Sequence, residues 1–363
     1  MIRSALLAAG MACILIGGSA QAAGKTLKMA TLDMEEGAGT LFVTPEGRSL
    51  LIDTGSPHRS QQPWGLDGAS TGADRIVAAA KSLGVHKIDY VIITHYHGGH
   101  VGGVIDLLAR MPVGTFVDHG PNREIPDLNL TPETPANHQA RSTAENYRRY
   151  LEAIKGHRHV VVKPGDVLHI GSLIDTIVAA DGRVLAKPLP GAGKPGALCD
   201  TPPLAADGGI ENAESVSSIL SFGKVRIAAL GDLSWNREHD LVCPIDKVGH
   251  VNVLLVTQHG TELSTNPASI AALRPDIAVM ANSGVYGAVP AVVNTISASR
   301  GLQGFWKMHA SKAHGELDGD PNFIANLQSA PDLGDTIRLD ITRDGQITAR
   351  NTRNGFSKTY RVK

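Results

Sequence analysis

The feature that most constrains this chain is a loop-like stretch with three histidines in six positions, Thr94-His95-Tyr96-His97-Gly98-Gly99-His100. It directly follows the apolar run Tyr90-Val91-Ile92-Ile93, which is short, rich in branched residues and bounded by turn residues. Such a run predicts a buried strand. The histidines are therefore expected in the loop at its carboxyl end, where the ligand sites of layered α/β folds collect.

The three histidines have a spacing that suits metal coordination. Neutral imidazole is the commonest metal ligand and suits zinc. His95 and His97 are two positions apart, so a turning backbone can direct both rings at one ion, and His100 can reach a second ion nearby. The whole sequence holds 15 histidines in 363 residues, so a metal centre is preferred over a surface loop that is histidine-rich by chance.

Polar residues also follow three later predicted strands. Asp118-His119-Gly120 follows the short strand predicted at 115–117, and Asp232 follows Gly231 at the end of the apolar strand predicted at 224–230. His259 follows the strand predicted at 251–256. An Asp or His at the end of a buried strand can place its side chain over the edge of the sheet, where the histidine loop is also expected.

The stretch from Thr94 to His100 resembles the His-x-His-x-Asp-His signature of the metallo-β-lactamase-fold hydrolases, with Gly99 standing where that family has Asp. The strand-turn-strand run that ends in Asp53-Thr54-Gly55 is also similar to the opening of such chains. It is most similar to the branch related to the nuclease-like domain of competence DNA-uptake channel proteins.

The resemblance implies a role for each site residue. It implies that His95 and His97 hold a first Zn²⁺ ion, that His100 and His259 hold a second, and that Asp232 bridges the two positions. A further ligand of the first ion is expected from the strand end at 118–119, with His119 preferred and Asp118 as the alternate or as a supporting residue. Asp53 is expected to brace the metal loop through hydrogen bonds. These ligands also carry the expected catalysis, chiefly His95, His97 and Asp232, and Mn²⁺ is an alternative ion.

The order of predicted elements favours an α/β fold. Strands and helices alternate, with hairpins in each half, which predicts two mixed sheets face to face with helices outside them. This is the four-layer αββα sandwich that the resemblance implies. A single domain is expected over residues 23–363, with loop insertions near 120–140 and 181–209. Ser142 to Glu145 has the pattern of a capping box and predicts a helix that starts there, and His157 and His159 are interpreted as exposed loop histidines.

The first 22 residues predict export. Arg3 supplies a positive start, an apolar stretch follows, and Ala20-Gln21-Ala22 forms a small-x-small cleavage site. The predicted mature chain is therefore periplasmic or secreted, and Cys199 and Cys243 are candidates to pair in an oxidising compartment. The formal net charge of -1 gives no electrostatic footprint for nucleic acid.

Three functions are compatible with these features. The first is an exported metal-dependent hydrolase, with a phosphodiester or another ester as substrate and a β-lactam or lactone as the alternative. The second is a degenerate binding protein that keeps the fold without catalysis, and Gly99 is its main support. The third is a metal-buffering or structural protein of the cell envelope. A small molecule or a phosphodiester is the expected partner in the first case.

Overall fold

A computed structural model describes residues 25–35, 37–57, 71–126, 129, 131, 133–327 and 334–362. The predicted targeting segment at 1–22 lies outside these residues. None of the helices in the described part of the chain has the length and apolar character that crossing a membrane requires.

The first sheet combines strands from both ends of the described chain. Its order is β18-β17-β16-β1-β2-β3-β4-β5-β6. The run from β18 to β3 is antiparallel, whereas β3, β4, β5 and β6 are parallel to one another. The strands are β1 Thr26–Thr31, β2 Thr40–Val43, β3 Ser49–Ile52, β4 Ile88–Ile92, β5 Val113–Asp118, β6 Arg158–Val161, β16 Ile337–Thr342, β17 Gln346–Asn351 and β18 Ser357–Arg361.

The second sheet has the order β15-β14-β13-β12-β11-β10-β8-β7, with β9 paired to β8. Strands β11 to β15 are parallel, and the β11-β10-β8-β7 part is antiparallel. The strands are β7 Val167–Ile170, β8 Leu173–Ala180, β9 Arg183–Val184, β10 Ser217–Phe222, β11 Val225–Ala229, β12 Val253–Leu255, β13 Ile277–Met280, β14 Gly304–His309 and β15 Ile324–Asn326.

The helices cover the outer faces of both sheets. Thr71 begins the first of them as a capping box, because its hydroxyl accepts from the Asp74 amide while the Asp74 side chain accepts from the Thr71 amide. The helices are α1 Gly72–Ser82, α2 Gly98–Val101, α3 Val104–Leu108, α4 Pro135–Ala153, α5 Gly209–Ala213, α6 Trp235–Val242, α7 Pro267–Leu273 and α8 Pro290–Ser297. Single 3₁₀ turns lie at Thr257–Gly260, Gly315–Leu317 and Pro321–Phe323.

Three apolar clusters separate four layers. One fills the space between the sheets and includes Phe42, Leu220 and Trp306. A second lies under α6, α7 and α8 on the outer face of the second sheet, and a third lies under α1, α3 and α4 on the outer face of the first. The predicted two-sheet sandwich with helices outside is therefore confirmed.

Two local predictions were wrong. Helix α4 begins at Pro135, seven residues before the predicted capping box, because Pro at the first helical position starts the helix and Thr143 donates its hydroxyl to the Gln139 carbonyl inside it. The predicted loop near 120–140 is therefore helical from 135 onward. His159 lies in β6 rather than in a loop.

The segment from 181 to 209 is irregular as predicted, with the two-residue strand β9 as its regular element. A disulfide between Cys199 and Cys243 ties this segment to the end of α6, with Cα atoms 5.6 Å apart.

Candidate metal centre

The ends of parallel strands bring the candidate residues together. His95 and His97 follow β4, and His100 lies in α2, the short helix that comes next. Asp232 follows β11, and His259 lies in the 3₁₀ turn after β12. Gly231 lets the two halves meet, because its φ is +62° and a Cβ atom there would lie 2.9 Å from the Thr94 Cβ.

The first pair of nitrogen atoms has the separation of two ligands of one ion. The Nε2 atom of His95 lies 3.0 Å from the Nδ1 atom of His97. Ligands on bonds of about 2.1 Å are roughly 3.0–3.4 Å apart around an ion of ordinary geometry. The outer nitrogen of His97, Nε2, lies 2.9 Å from the side-chain nitrogen of Gln139 and 3.7 Å from a carboxylate oxygen of Glu124.

A second pair lies beside the first, with one carboxylate between them. The Nε2 atoms of His100 and His259 are 3.4 Å apart. The Oδ2 atom of Asp232 lies 3.4 Å from His100 Nε2 and 3.8 Å from the Nε2 atoms of both His259 and His95. Asp232 therefore occupies a bridging position between the two pairs.

Hydrogen bonds hold the far nitrogen, Nδ1, of three of the four rings. Asp53 accepts from the Thr94 hydroxyl at 2.8 Å, which leaves the Thr94 oxygen to accept from His95 Nδ1 at 3.0 Å. The other partners are Asp53 for His100 Nδ1 and the Ala281 carbonyl for His259 Nδ1, each at 2.8 Å. In these three rings Nδ1 has a partner outside the centre, so Nε2 is the nitrogen that faces the centre and would serve as the metal ligand.

Burial and charge act strongly on this cluster. Burial lowers the pKa of His95 and of His259. Burial also acts to lower the pKa of His100, but the carboxylates of Asp232 and Asp53 outweigh it and raise that pKa to about 10. Burial acts to raise the pKa of Asp232, and His100 and His259 overcome it and hold that pKa well below its usual range. Asp232 is therefore a charged oxygen donor at neutral pH.

A cavity of about 370 Å³ opens onto the cluster. Its lining includes His97, His100, His259 and Asp232, and Gly99 lies there too. Three carboxamide side chains and a phenol add to the lining, namely Gln139, Asn212, Gln258 and Tyr286. None of the described lining residues is Lys or Arg.

The two remaining candidates lie apart from this cavity. His119 is absent from the described lining, and its Nε2 atom lies 3.1 Å from the Glu211 carboxylate. Asp118 accepts hydrogen bonds from the Gly120 amide, the Tyr150 hydroxyl and His159 Nε2. The strand end at 118–119 therefore faces a neighbouring buried cluster instead of the space between His95 and His97.

Several lining residues were missed in the sequence. Gln139 lies on α4, whose first two turns were read as loop, and Asn212 lies on α5 just before β10. The position of Asn212 is the same kind of signal as Asp232, a polar residue beside the end of a buried strand. Gln258 immediately precedes His259, but no pattern in the sequence shows that a side chain in the left-handed region turns toward the cavity.

The comparison with protein families supports the resemblance that was inferred from the histidine loop. Residues 38–182 match the family model described as the metallo-beta-lactamase superfamily. The matched part contains Asp53 and the loop from Thr94 to His100. The resemblance to metallo-β-lactamase-fold hydrolases is therefore confirmed, whereas the placement nearest the competence-type branch stays a prediction. The two mixed sheets match the metallo-β-lactamase fold.

Individual relatives are distant. The lactamase-like protein nscB of Aspergillus fumigatus is 32% identical over 97 residues, which are 27% of this chain and 25% of that protein. The diiron β-hydroxylase CmlA from Streptomyces venezuelae is 14% identical, with 77% of this chain and 52% of that chain covered and a TM-score of 0.42. The metallo-beta-lactamase fold protein YhfI from Bacillus subtilis is 12% identical, with 77% and 95% covered and a TM-score of 0.42.

The chain thus spans a quarter of the curated relative and about half of CmlA. At these identities and TM-scores, the two solved structures say nothing about the reaction or the ion.

Proposed function

We propose that this chain is a hydrolase that depends on one or two divalent cations, with Zn²⁺ as the expected ion and Mn²⁺ as the alternative. The observation that carries the proposal is the convergence of three imidazole nitrogens on one oxygen of Asp232, with the far nitrogen of each of these rings held by a hydrogen bond. The fourth ring, that of His97, lies beside His95. Neutral imidazole and carboxylate form the donor set that these ions prefer. His95 and His97 would hold the first ion, and His100 and His259 the second.

A cation at this centre, when bound, supplies an acidified water with a pKa near ~7 and polarises a substrate oxygen. The chain's own residues prepare the centre for it. Asp53 fixes the His100 ring directly and the His95 ring through Thr94. Asp232 keeps its negative charge, because His100 and His259 lower its pKa, and this charge offsets that of a cation in either position.

The second metal position has one donor fewer than in the metallo-β-lactamase-fold hydrolases that the sequence resembles. Gly99 lines the cavity where the related hydrolases carry Asp, so His100, His259 and Asp232 form a set of three donors. The first position also has three donors, His95, His97 and Asp232, because His119 faces Glu211. We expect the missing carboxylate at Gly99 to lower the affinity of the second position relative to a centre that carries Asp there.

For the substrate, we propose a phosphodiester or another ester, because paired cations compensate the charge of a phosphate without help from side chains. A neutral lactone or β-lactam is the second candidate, and two amide side chains of the cavity lining support it. Asn212 and Gln258 are each 3% exposed, and their side-chain oxygens have no hydrogen-bond partner among the described residues. Amide groups of this kind recognise uncharged polar substrates.

We further propose that the chain is exported. The disulfide between Cys199 and Cys243 supports this, because such bonds persist in oxidising compartments. Residues 1–22 have the pattern of a cleavable leader. Amino-terminal sequencing of the protein from fractionated cells tests the proposal: a mature start near residue 23 outside the cytoplasm is expected, and an intact Met1 in the cytoplasm would overturn it.

The hydrolase proposal is tested by turnover of protein loaded with Zn²⁺ or Mn²⁺. The substrates are bis(p-nitrophenyl) phosphate, a simple lactone and a chromogenic cephalosporin. We expect turnover of at least one of them and a loss of about 100-fold or more in Asp232→Asn, since a bridging ligand is removed. The exposed Asp340→Asn is the matched control. No turnover at full ion loading, or equal turnover in Asp232→Asn, would favour the non-catalytic binding protein.

A further inference from the structure

A second group of candidate donors lies behind the metal loop, outside the cavity. It consists of His119 at the end of β5 and of Glu211 and Glu214 on and just after α5, and we call it the His119 cluster. One nitrogen of His119 and one oxygen of each glutamate lie within 4.8 Å of one another. The side chains of His119 and Glu211 are fully buried, and that of Glu214 is 5% exposed.

Each of the three side chains keeps one polar atom unpaired. His119 Nε2 donates to Glu211 Oε1 at 3.1 Å, but His119 Nδ1, Glu211 Oε2 and Glu214 Oε2 have no hydrogen-bond partner among the described residues. A buried polar atom without a partner costs about 1–3 kcal/mol. Three such atoms from three adjacent side chains therefore indicate a missing common partner.

The charges around the cluster favour binding of a cation. Arg123 Nη1 donates to both Glu214 and Asp181, so one guanidinium is shared between two carboxylates. Arg183 also pairs with Asp181, at an exposed position. Glu211 receives the His119 ring and the Tyr96 amide, and neither of them is a fixed positive charge.

We propose that His119, Glu211 and Glu214 bind a divalent cation, Zn²⁺ or Mn²⁺, at a site separate from the cavity. One imidazole and two carboxylates form a donor set that suits either ion. The distance of 3.9 Å from His119 Nδ1 to Glu214 Oε2 is too long for a hydrogen bond. It is about half an ångström longer than the separation of two ligands of one ion, so binding a cation would draw the two atoms together.

This site would stabilise the metal loop from behind. Glu211 Oε1 accepts the backbone amide of Tyr96, the residue between His95 and His97, at 2.7 Å. The Tyr96 ring packs on His119, with ring centroids 4.6 Å apart. A cation held by Glu211 would therefore fix the loop that presents the two histidines of the main centre.

A shared proton is the competing explanation. Burial raises the pKa of Glu214, so a protonated Glu214 that moves within hydrogen-bond distance of His119 Nδ1 is the alternative. That arrangement needs no ion, and it leaves Glu211 Oε2 unpaired. Ion counting separates the two explanations, because only the cation site changes the number of ions per chain.

The experiment measures bound Zn²⁺, and separately Mn²⁺, by elemental analysis after chelator treatment and equilibrium dialysis. The starting protein carries His95→Ala, His100→Ala and His259→Ala together, which removes the main centre. We expect about one ion per chain in this protein, none after Glu214→Gln is added, and one after the exposed Glu152→Gln is added as the matched control. Zn²⁺ should also raise the Tm of the first and third proteins and leave that of the second unchanged.

No bound ion in the triple-alanine protein with native circular dichroism, or an unchanged ion count after Glu214→Gln, would overturn the proposal. If the triple substitution does not fold, the full wild-type chain decides the question: Glu214→Gln should carry one ion fewer, and an equal count would contradict the site. A failure of the proposed main centre gives a different pattern. If that centre binds no ion, Asp232→Asn leaves the number of ions per chain unchanged, whereas Glu214→Gln still lowers it by one.

Discussion

Asp53 shows how a single residue determines the orientation of a metal loop. Its φ is +60°, in the left-handed region, and its two oxygens accept from the Thr94 amide, the Thr94 hydroxyl and His100 Nδ1. One carboxylate thereby sets both the start of the loop and the tautomers of two rings. Supporting hydrogen bonds of this kind commonly change metal affinity by about 10–100-fold.

We therefore expect Asp53→Asn to weaken Zn²⁺ binding by about 10–100-fold. The amide retains the shape of the side chain but replaces one acceptor oxygen with a donor, so it cannot serve all three partners. Competition with a chromogenic chelator measures the affinity. Asp340→Asn, on an exposed part of β16, is the control, and an affinity for Asp53→Asn within twofold of the wild type would contradict this role.

Gly99 is the residue that weakens the second position. It lies inside α2 with an ordinary helical backbone, so a side chain is compatible with its conformation, and it lines the cavity. We expect Gly99→Asp to raise the Zn²⁺ affinity of the second position and the ion content at limiting Zn²⁺, because it adds a carboxylate donor. Gly99→Asn has nearly the same shape without the charge. An equal gain in both variants, or none in Gly99→Asp, would show that the missing carboxylate does not limit binding.

At the scale of elements, the sequence predicted the strand ends well. The apolar runs that form β4, β11 and β12 are each followed by a candidate ligand, and parallel strands place their carboxyl ends at one edge. Within the second sheet, those two facts place Asp232 beside His259. The approach of His95 and His97 to them depends on how the two sheets pack, because β4 belongs to the first sheet. The same two facts were not enough for Gln139 and Asn212, because α4 starts seven residues before its predicted cap and α5 has only five residues.

His119 shows the limit of the strand-end argument. It follows β5, next to β4 in the same sheet, so its position along the chain was typical of a ligand. The direction of its side chain depends on Glu211, which is 92 residues away in sequence. A pairing over that distance is set by tertiary packing, and no local pattern reveals it.

Strand β8 carries a carboxylate in the core between the sheets. Asp175 lies between Leu173 and Ile177, which both belong to that core, so it points the same way. The Ser218 hydroxyl lies nearby and acts to lower the pKa of Asp175, but neither oxygen has a hydrogen bond of ordinary geometry among the described residues. Burial raises its pKa to about 7, which is above the usual value, so the folded chain favours the protonated form.

This shift makes part of the stability pH-dependent. The stability that the raised pKa of Asp175 adds to the folded state is fully present below the pKa of the unfolded chain, near pH 4. It is lost as the pH rises through about 7. Asp175→Asn imitates the protonated form at every pH. We expect the variant to gain about 2–4 kcal/mol relative to the wild type between pH 4 and pH 8. Urea unfolding across this range measures the difference, Asp340→Asn should show no such trend, and a constant difference for Asp175→Asn would refute the assignment.

At the scale of the whole molecule, the sandwich was predictable from the sequence, whereas the pairing of strands from its two ends was not. Alternating strands and helices indicated four layers, and three apolar clusters confirm them. The pairing of β1 with β16 joins strands from opposite ends of the described chain, and sequence order alone does not indicate that partner. The two cysteines were candidates for pairing, but their proximity depends on the fold of the irregular segment from 181 to 209.

We expect loss of the Cys199–Cys243 disulfide to lower the free energy of unfolding by about 2–4 kcal/mol. The bond closes a loop across a sequence separation of 44 residues, and such closure restricts the unfolded chain. Denaturant unfolding of Cys199→Ser/Cys243→Ser measures the effect, with the reduced wild type as its control. A variant as stable as the oxidised wild type would show that the segment is held without the bond.

The account as a whole depends on whether four histidines and Asp232 hold a cation between the two sheets' edges. Anomalous diffraction at the zinc absorption edge, from crystals of the full chain grown with Zn²⁺, tests this most directly. The account predicts a peak within bonding distance of His95 Nε2, His97 Nδ1 and Asp232 Oδ2. The account would be contradicted if zinc peaks appeared only at other sites and none lay near these three atoms.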